Sequence, residues 1–128
     1  MGKTMELTSG ILTVDQVKAE LEAFPDILSR HGVQQLVAFI GIGSSATIDE
    51  MWKPHELETA QLSEFAQRST ARDLFRPGES DLFVETKDQS TKLLFCHESD
   101  IHVETTNASL VEEVTERWKR QGFLMHQI

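Results

Sequence analysis

Apolar residues recur at helical spacing in the first quarter of the chain. Val14, Val17, Leu21, Phe24 and Leu28 fall on one stripe. Thr13 and Gln16 stand at capping-box spacing just ahead of it, so a helix is predicted from about Val14. Pro25 lacks an amide proton and crowds the preceding turn, so a kink or split is expected there. Gly32 is a natural stop, because it takes the left-handed conformation at low cost. The period then changes. Leu36-Val37-Ala38-Phe39-Ile40 is a continuous apolar run, which predicts a strand over 34–42 covered on both faces. Gly41, Gly43, Ser44 and Ser45 read as a turn. Beyond them Ile48, Glu50 and Trp52 alternate with Thr47, Asp49 and Met51, so 46–52 is predicted to close an antiparallel hairpin.

Pro54, with Glu56 and Glu58 after it, has the chemistry of a helix start. A second helix is expected over about 55–75, ended by Pro77-Gly78. Three strands follow in quick succession, at 81–87, 92–97 and 101–106. A last helix is predicted over about 110–121, with Ser109 and Glu112 as its capping box and Gly122 as its stop. Val111, Val114 and Trp118 form its apolar stripe, and Phe123, Leu124 and Met125 are placed to fold back onto the core. Residues 1–12 lack a clear period and are expected to be a flexible tail or a strand lead-in, ahead of one domain over 13–128. The fold class is α+β: a five-stranded antiparallel sheet flanked by three helices, in the order α-β-β-α-β-β-β-α.

Composition narrows the function. The chain of 128 residues has 21 acidic and 12 basic side chains, a formal net charge of −9. That balance argues against nucleic-acid binding, which needs a basic surface to meet phosphates. The longest apolar run, Leu36 to Ile42, falls far short of the ~18 residues of a membrane span. Cys96 is the single cysteine, so no intrachain disulfide forms. With an N-terminus that carries no apolar signal core, this points to a reducing, cytoplasmic setting.

Each candidate chemistry has a plainer reading. Gly2-Lys3-Thr4 echoes the end of a phosphate loop but has no strand or glycine before it. Gly41 and Gly43 follow a strand, yet a second strand rather than a helix is expected after them, so no helix N-terminus faces a phosphate. Cys96, His97, Glu98, Asp100 and His102 form a dense group of zinc-type donors. A Glu98-Ser99-Asp100 loop would set Phe95 opposite Val103 and His97 opposite Ile101, leaving His97 and His102 on opposite faces, so no metal is expected. Cys96 as a nucleophile needs a base beside it, and His97 in a strand would point away. Arg68, Arg72 and Arg76 lie at i, i+4, i+8 and read as a solvated stripe pairing with Glu64 and Asp73. No catalytic residue, metal or cofactor is expected. A small-molecule pocket lined by His97 or His102 would reopen the question of an enzyme.

The element order over residues 14–121 resembles the roadblock and dynein-light-chain domains, which share the profilin-like and longin-like architecture. The turn Gly41-Ile42-Gly43-Ser44-Ser45 stands where that family carries a short acidic-glycine turn, with serines in place of the acid. Ala60, Ala66, Ser69, Thr70 and Ala71 supply small residues on the second helix, among the polar Gln61, Glu64, Gln67 and Arg68. The resemblance implies a non-enzymatic scaffold that forms a homodimer, sheet edge to sheet edge, and docks a small GTPase. On this view Leu82 and Val84 lie on an edge strand, and Phe65 and Ala66 pack on the second helix's partner copy. Trp52, at a strand end just before Lys53-Pro54, reads as a partly exposed aromatic and an interface candidate. The alternative is an acidic dimer similar to type III secretion chaperones, cradling a secreted effector segment. Those proteins put three strands before the middle helix, which here would require a strand within residues 4–12.

Overall fold

The structure is a computed structural model that describes residues 3–41 and 51–127. Ten elements run β1 (Met5–Ser9), α1 (Val14–Arg30), β2 (Gln35–Ile40), β3 (His55–Glu58), α2 (Leu62–Ala71), β4 (Leu82–Glu85), β5 (Thr91–Phe95), β6 (Ile101–Thr105), α3 (Ala108–Gln121) and β7 (Met125–Gln127). A single 3-10 turn, Thr59–Gln61, leads into α2. The strands form one sheet in the order β3-β2-β4-β5-β6-β1-β7. Every neighbouring pair is antiparallel. The class is therefore α+β, and among the described residues there are three helices and a sheet of seven strands rather than five. The two extra strands, β1 and β7, come from the chain ends, where the period is too short to read.

All three helices lie on one face. Leu7, Leu36, Ala38, Ile40, Leu82, Val84, Leu93, Phe95, Ile101 and Val103 point toward them and are buried. Val17, Leu21, Phe24 and Leu28 on α1, Leu62 and Phe65 on α2, and Leu110, Val114 and Trp118 on α3 meet them. Phe24 stands edge-on to Phe95, their ring centres 5.8 Å apart. Strand alternation follows from this one-sided cover: inward residues are apolar and outward ones mixed. No described helix is long and apolar enough to cross a membrane.

The cap of α1 is as expected. The Thr13 hydroxyl accepts from the Gln16 amide and the Gln16 side chain accepts from the Thr13 amide. The helix runs unbroken through Pro25, which lies buried, so the expected split does not occur. At the other end of the chain α3 starts earlier than expected. Its cap is Asn107, whose side chain accepts from the Leu110 amide, and Ser109 sits inside the first turn.

The strand expected over 46–52 falls largely on residues outside those described, which span 42–50. Met51 and Trp52 form a turn, Trp52 with φ 63°. Pairing with β2 falls to β3, residues expected to start the second helix, with Leu36 opposite Leu57 and Ala38 opposite His55. His55 and Leu57 turn inward, where His55 meets the Phe65 ring at 5.1 Å, and Glu56 and Glu58 turn out. The helix that follows is accordingly short.

The largest correction concerns β4. It lies between β2 and β5, in the interior of the sheet, not at an edge. Leu82 and Val84 are 0% and 1% exposed beneath the helices and are core residues. Among the described residues the edges are β3 and β7.

Candidate functional site

The face of the sheet turned away from the helices carries three rows of side chains, set by strand register. The middle row crosses the sheet as Phe39, Phe83, Leu94, His102, Thr8 and His126, each opposite the next. Phe39, Phe83 and Leu94 are half-buried. Trp52 adds to this apolar strip. It is 48% exposed, and its ring lies 5.1 Å from that of Phe83. It also lies over Gly41, where a Cβ would meet the indole at 2.6 Å, so only glycine lets the ring settle there.

The second row is charged. Glu56, Val37, Glu85, Lys92, Glu104 and Glu6 follow one another across six strands. Lys92 stands between Glu85 and Glu104, and Lys87 reaches Glu56 at 3.6 Å. The row remains net acidic. Between these two rows a hollow of about 250 Å³ is bordered by Thr8, Phe83, Lys92, Leu94, His102 and Glu104. It includes His102, as a ligand pocket would, but is smaller than the ~300–1,000 Å³ of an ordinary small-molecule site.

The third row ends the sheet. Cys96 follows β5 and faces Asp100, its amide donating to the Asp100 carbonyl at 2.9 Å. The loop is therefore His97-Glu98-Ser99, not Glu98-Ser99-Asp100, and Phe95 pairs with Ile101 rather than Val103. Ser99 takes φ 66°, the left-handed residue that three-residue hairpins require. The loop is tied down from outside. The Ser99 hydroxyl donates to the Leu12 carbonyl at 2.6 Å, and the Leu12 amide donates to the Ser99 carbonyl at 2.8 Å.

This register gathers Cys96, Asp100 and His102, with ligand atoms all within 4.8 Å of one another. Asp81, beside Cys96 at the start of β4, makes a second such group with Cys96 and His97. One Asp81 oxygen accepts from the His97 amide at 2.7 Å and meets the His97 Nδ1 at 2.8 Å. That contact raises the His97 pKa, and Asp81 is itself buried. His102 is oriented by Thr8, whose hydroxyl lies 3.3 Å from Nδ1. Its Nε2 faces the Asp100 Oδ2 at 3.2 Å. The other Asp100 oxygen, Oδ1, is buried with no N–H or O–H donor. Sequence proximity reveals Cys96, Asp100 and His102, but Asp81 and Thr8 join them only through strand pairing.

Because His97 is in a loop, it does not point away from Cys96 as a strand residue would. Its Nδ1 lies 3.8 Å from the thiol sulfur. The trio Cys96, His97 and Asp81 still does not form a nucleophilic relay. Both contacts use the same ring nitrogen, whereas a relay needs one nitrogen for the thiol and the other for the carboxylate. Burial pushes the thiol pKa up to about 11, although the Glu98 amide pulls it back, while Asp100 and Asp81 push further up. Catalytic thiols are shifted the other way.

The remaining candidates are placed as follows. Phe65 and Ala66 are buried on the inner side of α2. Arg68 reaches Glu64 at 3.8 Å and Arg76 grips Asp73 at 2.8 Å, so these two arginines of the stripe pair within their own helix and turn. Comparison with family models, curated proteins and solved structures found no match.

Proposed function

We propose that the chain is a non-enzymatic protein-binding module that uses the open face of its sheet rather than an edge. The observation that carries this reading is the strip of Phe39, Phe83, Leu94 and Trp52 lying beside a net acidic row. Apolar area supplies association energy, and aromatic anchors tend to concentrate it. The acidic row selects by charge. A second copy would bring Glu6, Glu85 and Glu104 toward the same acids, which is unfavourable for a face-to-face homodimer. The occupant that fits is a partner whose contact surface is apolar and bordered by lysine or arginine. A small GTPase or an effector segment with such a surface satisfies this requirement. The homodimer through Leu82 and Val84 is not carried forward, because β4 is interior. The β3 edge exposes Glu56 and Glu58, charges that discourage strand addition.

The test is affinity capture of the partner with wild-type protein and with Phe83→Ser and Leu94→Ser, followed by hydrogen-exchange footprinting of the complex. Both variants should bind at least ~10-fold more weakly, the loss of one interface anchor. Protection should fall on β2, β4 and β5. A footprint on the helices or on β7, with both variants binding normally, would remove the proposal.

A further inference from the structure

We propose that Cys96 Sγ, the Asp100 carboxylate and His102 Nε2 form a site for a divalent transition metal, zinc foremost. The site borders the docking strip, since His102 stands opposite Leu94, but the argument for it does not depend on that reading. Three independent features point to it. The first is proximity: the donor atoms of these three residues lie within 4.8 Å of one another. Tetrahedral bonds of about 2.0–2.3 Å put ligand atoms roughly 3.3–3.8 Å apart, so a contraction of about 1 Å closes the site. The second is the Asp100 carboxylate: its Oδ1 is buried with no N–H or O–H donor, and besides His102 the group is met by the Cys96 thiol, a weak donor that gives up its proton when it binds a metal. Leaving such an oxygen without a strong donor is costly, and a cation beside it meets the need. The third is the orientation of His102. Thr8 holds its Nδ1, which leaves Nε2 to face the group, the outer-shell arrangement typical of metal-binding histidines.

The neighbouring group of Asp81, Cys96 and His97 is the weaker choice. Its carboxylate is already engaged by the His97 amide and ring, so nothing there is unmet. The hairpin loop pinned to Leu12 fixes the backbone on which two of the chosen ligands sit. A thiolate, an imidazole and a carboxylate suit zinc and disfavour magnesium and calcium, which prefer all-oxygen shells. The thiol proton passes to solvent as the metal–sulfur bond forms. Three protein ligands leave a fourth position for water or for a side chain supplied by a partner.

Zinc chloride and cobalt chloride, each added alone to the metal-free full chain, test the proposal. Calorimetry should show one equivalent of zinc bound. Cobalt should give a near-ultraviolet thiolate charge-transfer band, which Cys96→Ser abolishes. Asp100→Asn and His102→Gln should each weaken binding at least ~10-fold, and Thr8→Val about 10-fold, as for outer-shell partners. His97→Gln should bind normally. In the wild-type protein the ring signals of His102 should shift on zinc addition in nuclear magnetic resonance spectra, so the test survives a variant that fails to fold. Absence of stoichiometric binding, a band that persists in Cys96→Ser, or a loss in His97→Gln equal to that in His102→Gln would overturn the assignment.

Discussion

Glu20 is 1% exposed on α1, and its carboxylate takes three donors from α3. Arg117 donates through Nε at 3.0 Å and Nη2 at 2.6 Å, and the Trp118 indole donates at 2.6 Å. The charge is therefore buried but fully met, which is the condition under which a buried carboxylate is tolerated. Removing one partner should cost more than removing both. Arg117→Met leaves the carboxylate with the indole alone and should destabilise the fold by about 3 kcal/mol in urea unfolding. Glu20→Leu should cost about 2 kcal/mol, chiefly from the orphaned indole N–H and the guanidinium. The double variant should lose clearly less than the two losses added, since only the indole is then unmet. Strict additivity would mean that the three groups do not act as a unit. On the far side of the same helix pair, Arg30 and His31 both engage Glu113, which lowers its pKa.

Two candidates competed to start α3. Ser109 and Glu112 have capping-box spacing, yet Asn107 holds the Leu110 amide, while the Asn107 amide donates to the Thr105 hydroxyl at the end of β6. Asn107→Ala should cost about 1 kcal/mol by thermal or urea unfolding, and Ser109→Ala no more than about 0.5 kcal/mol. The reverse order would restore the Ser109 cap. The same contrast shows what the chain reveals before folding. The stripe from Val17 to Leu28 and the cap at Thr13 are local, so α1 is legible to the residue. The β3 strand is not. His55-Glu56-Leu57-Glu58 is a four-residue alternation behind a proline, and its glutamates imitate a helix start. Strand order is less legible still. Leu82-Phe83-Val84 reads equally well as edge or interior, and only pairing with both β2 and β5 decides it. The Cys96 group was visible as a cluster, but a loop shifted by one residue moved the partner of Phe95 from Val103 to Ile101 and set Cys96 beside Asp100.

The two ends of the chain meet in the sheet. β1 lies between β6 and β7, with Leu7 opposite both Val103 and Gln127. Leu7 is 1% exposed in the core, the Ser9 hydroxyl accepts from the Ile101 amide at 2.9 Å, and the Gly10 amide donates to the Leu124 carbonyl. Of the two readings for residues 1–12, residues 5–9 take the strand one, as an interior strand of the sheet, and Leu12 anchors the loop that carries the Cys96 group. β7 is an edge of three residues with His126 and Gln127 exposed. The two ends should therefore differ sharply when cut. Deleting residues through Ser9 exposes β6, removes Leu7 from the core and takes away the Ser9 hydroxyl that meets the Ile101 amide. It should abolish a cooperative unfolding transition and, with it, the ordered Cys96, Asp100 and His102 group. Deleting from Met125 onward removes one edge strand whose loss uncovers β1 but leaves the core layers joined, so a cooperative transition should persist at lower temperature. Calorimetry of both truncations distinguishes these outcomes. A first truncation that melts as sharply as the full chain would show that β1 docks onto a sheet already complete without it, and the organisation of the molecule would then centre on β2–β4–β5–β6 alone.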